Sequence, residues 1–234
     1  MNLPEMDIFK CIHSRRSVRK FLDIPVEWEK VGVILDAGTA APSSGNLQNW
    51  KFIVVQNEKK RQEIAEAALQ QYWIASAPAI IVICAELRRA RQFYGVRGER
   101  LYSIQNCAAV AENMLLAAHA LGLSSCWVGA FDEGMVSRAL SIPDDVDIRP
   151  QIILPIGYPD ESPAKPQSVP LDNITYFEKW SAQNIGKIKD VDAVLWNYRV
   201  VERGVGAARS SAKALGKLTR HAGLLGNLKN RFRK

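Results

Sequence analysis

Residues 79–85, Ala-Ile-Ile-Val-Ile-Cys-Ala, form an unbroken apolar run with no alternation of polar and apolar positions. A strand that is apolar on both edges of its pleat must be covered on both faces. The run is too short to span a bilayer, and Pro78 precedes it. The chain therefore has to supply helices for two sides of one sheet, which places it among α/β or α+β folds.

The rest of the sequence supplies them. Residues 6–16 read as a short helix with Ile8, Phe9 and Ile12 on one face, and 26–40 as a second helix between Pro25 and Pro42. Residues 51–56 are a β-branched strand, 58–71 an Ala/Glu/Gln-rich helix and 100–121 a long Ala-rich helix closed by Gly122. A strand over 125–130, a helix over 133–140 and a last strand over 151–157 complete the alternation. Residues 113–131 carry no Lys, Arg, Asp or Glu, but Asn113, His119, Ser124 and Gly122 argue for a helix followed by a buried strand, not a span. Pro155, Pro159, Pro163, Pro166 and Pro170 read as an extended connector.

Charge divides the chain. Residues 181–234 hold twelve Lys/Arg against three Asp/Glu, a net +9 that exceeds the +7 of the whole, so residues 1–180 are slightly acidic. Basicity confined to a tail argues against nucleic-acid binding by the main domain. In the tail, Val194, Tyr198, Val201, Val205, Ala208, Ala212 and Leu215 make a heptad-like stripe opposite Arg199, Arg203, Arg209, Lys213 and Lys217. Such a basic helical extension can pack on the core, contact an anionic membrane or protein, or stay unstructured, since Gly204, Gly206, Gly216, Gly223 and Gly226 weaken it. Cys11, Cys84, Cys107 and Cys126 are widely spaced in apolar contexts, which reads as reduced buried thiols in a cytoplasmic protein without a metal site.

Two segments carry chemistry. Ser14 to Phe21, Ser-Arg-Arg-Ser-Val-Arg-Lys-Phe, concentrates cations and hydroxyls. Guanidinium groups bind a phosphate dianion through paired hydrogen bonds, and a cation beside a flavin's N1 edge favours its reduced form. Arg15 and Arg16 would diverge by about 100° on a continuous helix, so both reach one ligand only if the helix ends there. Residue types alone leave a solvated basic helix end open. Ala41 to Trp50, Ala-Pro-Ser-Ser-Gly-Asn-Leu-Gln-Asn-Trp, brings hydroxyls and amides that can read a pyrimidine edge, or simply make a helix-to-strand turn.

Taken together, the two segments resemble the nitroreductase family of FMN-dependent oxidoreductases, with its Arg-Arg-Ser-x-Arg-x-Phe and Ala-Pro-Ser-x-x-Asn-x-Gln-Pro-Trp elements. Ala111 to Leu123, Cys126 to Asp132 and Leu154 to Pro159 extend the resemblance over residues 6–180. It implies a dimeric α+β fold of three layers, a mixed sheet covered by helices, with residues 1–180 as the FMN-binding domain. It further implies that Arg15, Arg16, Ser17 and Arg19 hold one FMN. Pro42, Ser43, Ser44, Asn46 and Gln48 would contact the FMN of the other subunit across a homodimer interface. In the Val128, Gly129, Ala130 turn, a backbone N–H near Gly129 would face flavin N5. No side chain would act as a catalytic nucleophile, and His13, His119 and His221 need no role in the chemistry. NADH or NADPH would reduce the flavin, and a nitroaromatic, quinone or similar acceptor would reoxidise it in a ping-pong scheme. A specialised dehalogenating or dehydrogenating enzyme, or a non-catalytic flavoprotein recruited through its tail, is the alternative.

Two departures stand out. Asn49 occupies the proline position of the second element. Gln167, in Lys165-Pro166-Gln167, occupies the place of a phosphate-capping Arg, which leaves Lys165 or Arg15 and Arg16 to serve instead.

Overall fold

The computed structural model describes residues 6–180. The chain divides into two units, Met1–Lys165 and Pro166–Lys234. The basic stripe and its glycines lie outside the described residues.

The first unit is built on a four-stranded sheet, β1 (Trp50–Val55), β2 (Ala79–Glu86), β3 (Ser124–Ser125) and β4 (Ile148–Gly157), in the order β1-β2-β4-β3. As the apolar run demands, β2 is central. Ile81, Ile83 and Ala85 enter one core with Ile152, Leu154 and Ile156, while Ile80, Val82 and Cys84 enter the other with Ile153. Each isoleucine of this double-sided strand is fully buried, contributing about 2 kcal/mol relative to exposure. The first face is covered by α2 (Trp28–Thr39) and α5 (Ser103–Ala120), the second by α3 (Glu58–Ala67) and α6 (Glu133–Ala139). The result is three layers of an α+β fold. Pairing among the four strands is antiparallel throughout, and the mixed character comes from one parallel bridge, Ser17 to Ser125.

Several expectations need correction. The strand expected over 125–130 shrinks to Ser124–Ser125 plus a single bridge from Val128 to Ile153. Both pairings share one register, which sets Cys126 opposite Pro155. Pro155 has no N–H to donate, so the ladder breaks there. Pro155 itself belongs to β4, not to the connector. The long helix begins at Ser103, because residues 98–102 form a π-helical turn.

That turn follows an element absent from the sequence reading, α4 (Leu87–Arg97), which is kinked at Gly95 where φ is 57° and ψ is −148°. Gly98 is required by close approach, since a Cβ there would sit 2.3 Å from the Ala90 carbonyl oxygen. The other helices agree with their expected extents to within a turn except α3, which stops four residues early. Leu69 and Gln70 after it have positive φ. At the N-terminus, α1 (Ile8–Ser14) is capped by the Asp7 carboxylate, which accepts from the Phe9 and Lys10 amides.

The connector after Pro159 has no regular structure through Pro170. Within the second unit, α7 (Leu171–Ile174) is followed by Tyr176 and Trp180, whose rings lie 4.6 Å apart. Among the described residues, no helix is long and apolar enough to cross a membrane.

Candidate functional site

Helix α1 does end before the paired arginines. Arg15 is its C-cap, with an extended backbone at φ −55° and ψ 136°, so the two side chains leave from non-helical positions. They part at once. Arg15 Nε stands 3.9 Å from Glu112 on α5, whereas Arg16 folds back and donates from Nη1 to the carbonyls of His13 and Arg15 at 2.8 and 2.7 Å. Arg16 thereby caps its own helix and keeps its remaining N–H groups for a ligand. Arg19 goes a third way, its guanidinium 5.7 Å from the centre of the Trp73 ring.

What holds this segment is backbone. Val18 N–H donates to Ser125 O at 3.1 Å, and Leu22 N–H to Tyr158 O at 2.9 Å. The Glu161 carboxylate accepts the amides of Arg19 and Lys20 at 2.5 and 3.2 Å. Between them the side chains of Val18 and Phe21 are buried against Ala77. Ser17 thus lies beside Ser125, three residues before the Val128 to Ala130 turn. In that turn Val128 is buried and exchanges two 3.0 Å bonds with Ile153. Gly129 and Ala130 are exposed, and the Gly129 N–H has no partner among the described residues. The Trp127 indole nitrogen lies 3.4 Å from where a Gly129 Cβ would be. The segment that carries Arg15, Arg16, Ser17 and Arg19 and the strand that leads into the Gly129 turn are therefore neighbours, a first cluster of predicted positions joined through Ser17 and Ser125.

Two titratable groups border it. His119 Nε2 is 2.7 Å from Ser14 Oγ, and Ser14 donates to Lys10 O at 2.6 Å. The hydroxyl is committed as donor, so His119 must carry its proton on Nε2. Burial lowers the His119 pKa, and the charges of Arg15 and Arg16 lower it further. Cys126 is 2% exposed and its pKa is raised by burial, against the lowering influence of Arg19, Ser17 and Arg15. All four cysteines are buried and free, and burial pushes Cys84 and Cys107 up to about 12. Inert structural thiols are the result.

The second predicted set forms a separate cluster. Pro42 is exposed, and Ser43 to Gln48 make a tight loop around the 3-10 turn Ser44–Asn46. Gly45, Asn46 and Gln48 have φ of 51°, 55° and 48°, left-handed values that cost non-glycine residues energy. Ser43 Oγ accepts the Gln48 amide at 3.1 Å, and Asn46 Oδ1 accepts from Gln48 Nε2 at 2.8 Å. A Cβ at 45 would also displace the Tyr94 hydroxyl, which packs over Gly45.

Beneath the loop lies a buried polar network that the sequence did not reveal. Asn106 on α5 accepts the Ser44 amide at 2.9 Å and donates to Ser44 Oγ at 3.1 Å and Asn49 Oδ1 at 2.7 Å. Only the unexpected Asn49 gave a signal, since Asn106 and Ser103 are distant in sequence.

No hydrogen bond or ion pair among the described residues joins the two clusters. Asn106 and His119, at their two ends of α5, are separated by about 20 Å of helical rise. An open depression lined by Glu66, Tyr72, Met135 and Arg138 contains none of the predicted site residues. Among the described residues no His, Cys, Asp and Glu gather as metal ligands.

The sequence profile of the Nitroreductase family matches residues 12–76 and 68–158, more than half of the chain and both clusters. The chain belongs to the nitroreductase family. Among its relatives, an NADPH-flavin oxidoreductase of Vibrio harveyi is 27% identical over 196 residues, covering 81% of each chain. An FMN reductase [NAD(P)H] of Bacillus subtilis is 29% identical over 191 residues, covering 76% of each. The solved structure of the NADPH:FMN oxidoreductase from Vibrio harveyi complexed with NAD+ superposes with a TM-score of 0.68 at 26% identity. That match covers 81% of this chain and 85% of the other.

Proposed function

We propose that this protein is an FMN-dependent NAD(P)H oxidoreductase that passes electrons to a small-molecule acceptor such as a nitroaromatic or quinone. The observation that carries the reading is the cluster itself. Three arginines sit on a backbone-laced segment, and the exposed Gly129 N–H, without a partner among the described residues, follows the edge strand that this segment bridges. Cations at one end and a lone amide donor at the other fit a cofactor with a phosphate tail and an electron-accepting ring nitrogen.

In this reading bound FMN supplies hydride acceptance at N5 and onward transfer to the acceptor. The chain's own part is binding and polarisation. Arg15 and Arg16 neutralise the phosphate, Ser17 adds a hydroxyl and Arg19 puts positive charge near the pyrimidine end. The Gly129 N–H donates to the accepting nitrogen, with Val128 pinned to Ile153 and Ala130 O held by Gln71 at 3.2 Å to keep that turn rigid. Lys165 and Gln167 are both exposed; in this reading phosphate binding rests on Arg15 and Arg16, with Lys165 as a further contributor.

Pro42, Ser43, Ser44, Asn46 and Gln48 complete the site of a second copy. Their distance along α5 from the arginine cluster supports this, and so does α1, whose Ile8, Phe9 and Ile12 are 55%, 50% and 48% exposed on one small helix. The functional unit is then a homodimer with two interface sites, formed by residues 1–180, working in the cytoplasm by alternate binding of NAD(P)H and acceptor. Residues 181–234 serve as a basic extension that contacts an anionic surface or the dimer.

The deciding experiment is the visible spectrum of the purified protein, with identification of the released flavin. A yellow protein that yields FMN and is bleached anaerobically by NADH or NADPH supports the reading. Bleaching that is reversed by an added quinone extends it to turnover. A colourless protein that fails to take up added FMN overturns it.

A further inference from the structure

Asn49 is fully buried and Asn106 nearly so, and every polar atom of the two amides is satisfied. Their orientation has one solution. Ser103 Oγ donates to Gly98 O at 3.0 Å, so it can only accept from Asn49 Nδ2, 3.1 Å away. The same Nδ2 donates to Glu86 O, also at 3.1 Å, and a carbonyl can only accept. Asn49 must therefore turn Oδ1 toward Asn106. Asn106 then has to answer with Nδ2, which leaves its Oδ1 for the Ser44 backbone N–H, a group that can only donate. Backbone groups of fixed polarity close the chain at both ends, so neither amide can flip without stranding a buried partner.

One consequence reaches the surface. The Asn106 Nδ2 that bonds Asn49 also bonds Ser44 Oγ, occupying the hydroxyl as an acceptor. The Ser44 O–H proton has no acceptor among the described residues and must point out of the loop. Likewise, the Ser43 oxygen is taken by the Gln48 backbone amide, which leaves Ser43 O–H as an outward donor.

We infer that Asn106, locked by Asn49, is a positioning residue that fixes Ser44 as a hydrogen-bond donor toward an acceptor-rich cofactor edge. The inference rests on the reading of this loop as a flavin contact. Asn49, in the place of the usual proline, is the residue that makes the network directional. It also holds a loop with two non-glycine residues at positive φ, a geometry that persists only when its surroundings over-determine it.

The test is a double-mutant cycle on the full-length protein, with Asn106→Ala, Ser44→Ala and the pair. FMN affinity is read by fluorescence titration and the midpoint potential of the bound flavin by dye equilibration. Each single change weakens FMN binding about tenfold, the scale of one lost net hydrogen bond to a ligand. The pair is no weaker than either single variant, because both remove the same donor. Both singles shift the potential in the same direction. Wild-type affinity and potential in Asn106→Ala, even with lower thermal stability, would overturn the inference, as would independent losses that multiply in the pair. Should Asn106→Ala fail to fold, Asn49→Pro restores the usual motif residue while removing the lock. Wild-type affinity and potential in that variant overturn the inference, and a severalfold loss supports it. A wild-type protein that binds no FMN would instead remove the oxidoreductase reading, and this inference with it.

Discussion

Residues 15–21 and residues 43–48 both present polar groups at the surface, but different parts of the chain hold them. The arginine segment is laced through its backbone, to Ser125, to Tyr158 and to the Glu161 carboxylate, and its side chains diverge freely. The amide loop is held by side chains, chiefly Asn106 and Asn49, with donor and acceptor assigned at every link. Backbone lacing tolerates most substitutions, because every residue except proline brings the same N–H and C=O. A side-chain network tolerates very few, because a buried polar partner left alone costs about 1–3 kcal/mol.

The sharpest attack on this comparison is Asn49→Leu. It strands the Glu86 carbonyl, takes a donor from the Ser103 hydroxyl and removes an acceptor from Asn106, so a loss of about 3 kcal/mol is expected. Arg16→Ala, which deletes a half-buried cap on two carbonyls, should cost less, about 1 kcal/mol. Urea denaturation of the two variants side by side checks the contrast, and equal losses would end it. Next comes Gly157→Ala. A Cβ there would lie 2.6 Å from Pro78 Cδ and 3.0 Å from Phe21 Cδ1, and the proline ring cannot swing away. About 2 kcal/mol of overpacking is expected. Loss of FMN affinity together with stability would show that the arginine segment depends on the seat of Phe21.

A smaller effect probes the lacing itself. Glu161→Ala removes the acceptor of two partly exposed amides and should cost about 1 kcal/mol. Glu161→Gln keeps a carbonyl oxygen in place and should cost less than half of that. Equal losses for Ala and Gln would mean that the carboxylate acts through charge on the nearby arginines, not by accepting backbone hydrogen bonds.

The same contrast decides what could be read in advance. The central strand was legible because burial on both faces erases alternation, and residues 79–85 show the erasure directly. The helices were legible from their period and their proline and glycine boundaries. The truncation of β3 was not, because its cause sits across the sheet, in the missing N–H of Pro155. Helix α4 was not either, since its Arg-rich sequence lacks an apolar stripe and is broken at Gly95. At the site, residue types suggested anion and amide chemistry, and only the paired motifs gave it a cofactor. The partners of Asn49 were illegible for a physical reason. Asn106 and Ser103 lie 57 and 54 residues away, and hydrogen-bond complementarity leaves no periodic trace in a sequence. Asn49 was visible only as a departure from the motif.

The smallest predicted effect tests the border of the arginine cluster. Neutral His119 donates from Nε2 to Ser14 Oγ, and burial plus the adjacent Arg15 and Arg16 hold its folded pKa below the ordinary 6.5. The unfolded chain therefore takes up this proton first as pH falls. In the window below about 6.5, the unfolded state binds more protons than the folded one, so stability rises with pH and is lost on acidification. Above 6.5 the histidine is neutral in both states and contributes no slope. Carboxylates add their own slope at lower pH, so the informative quantity is a difference between proteins. In His119→Gln, an amide donor replaces the ring N–H and cannot titrate. Melting temperatures of the flavin-free proteins are compared at pH 7 and pH 5.5. The wild type should fall further than the variant over that interval, by a degree or two on the scale of a fraction of a kcal/mol (roughly 2–4 °C per kcal/mol for a domain of this size). Equal slopes would mean that His119 stays solvated and that Arg15 and Arg16 point away from it. Their guanidinium groups would then be free to close on the phosphate without any cost from a neighbouring imidazolium.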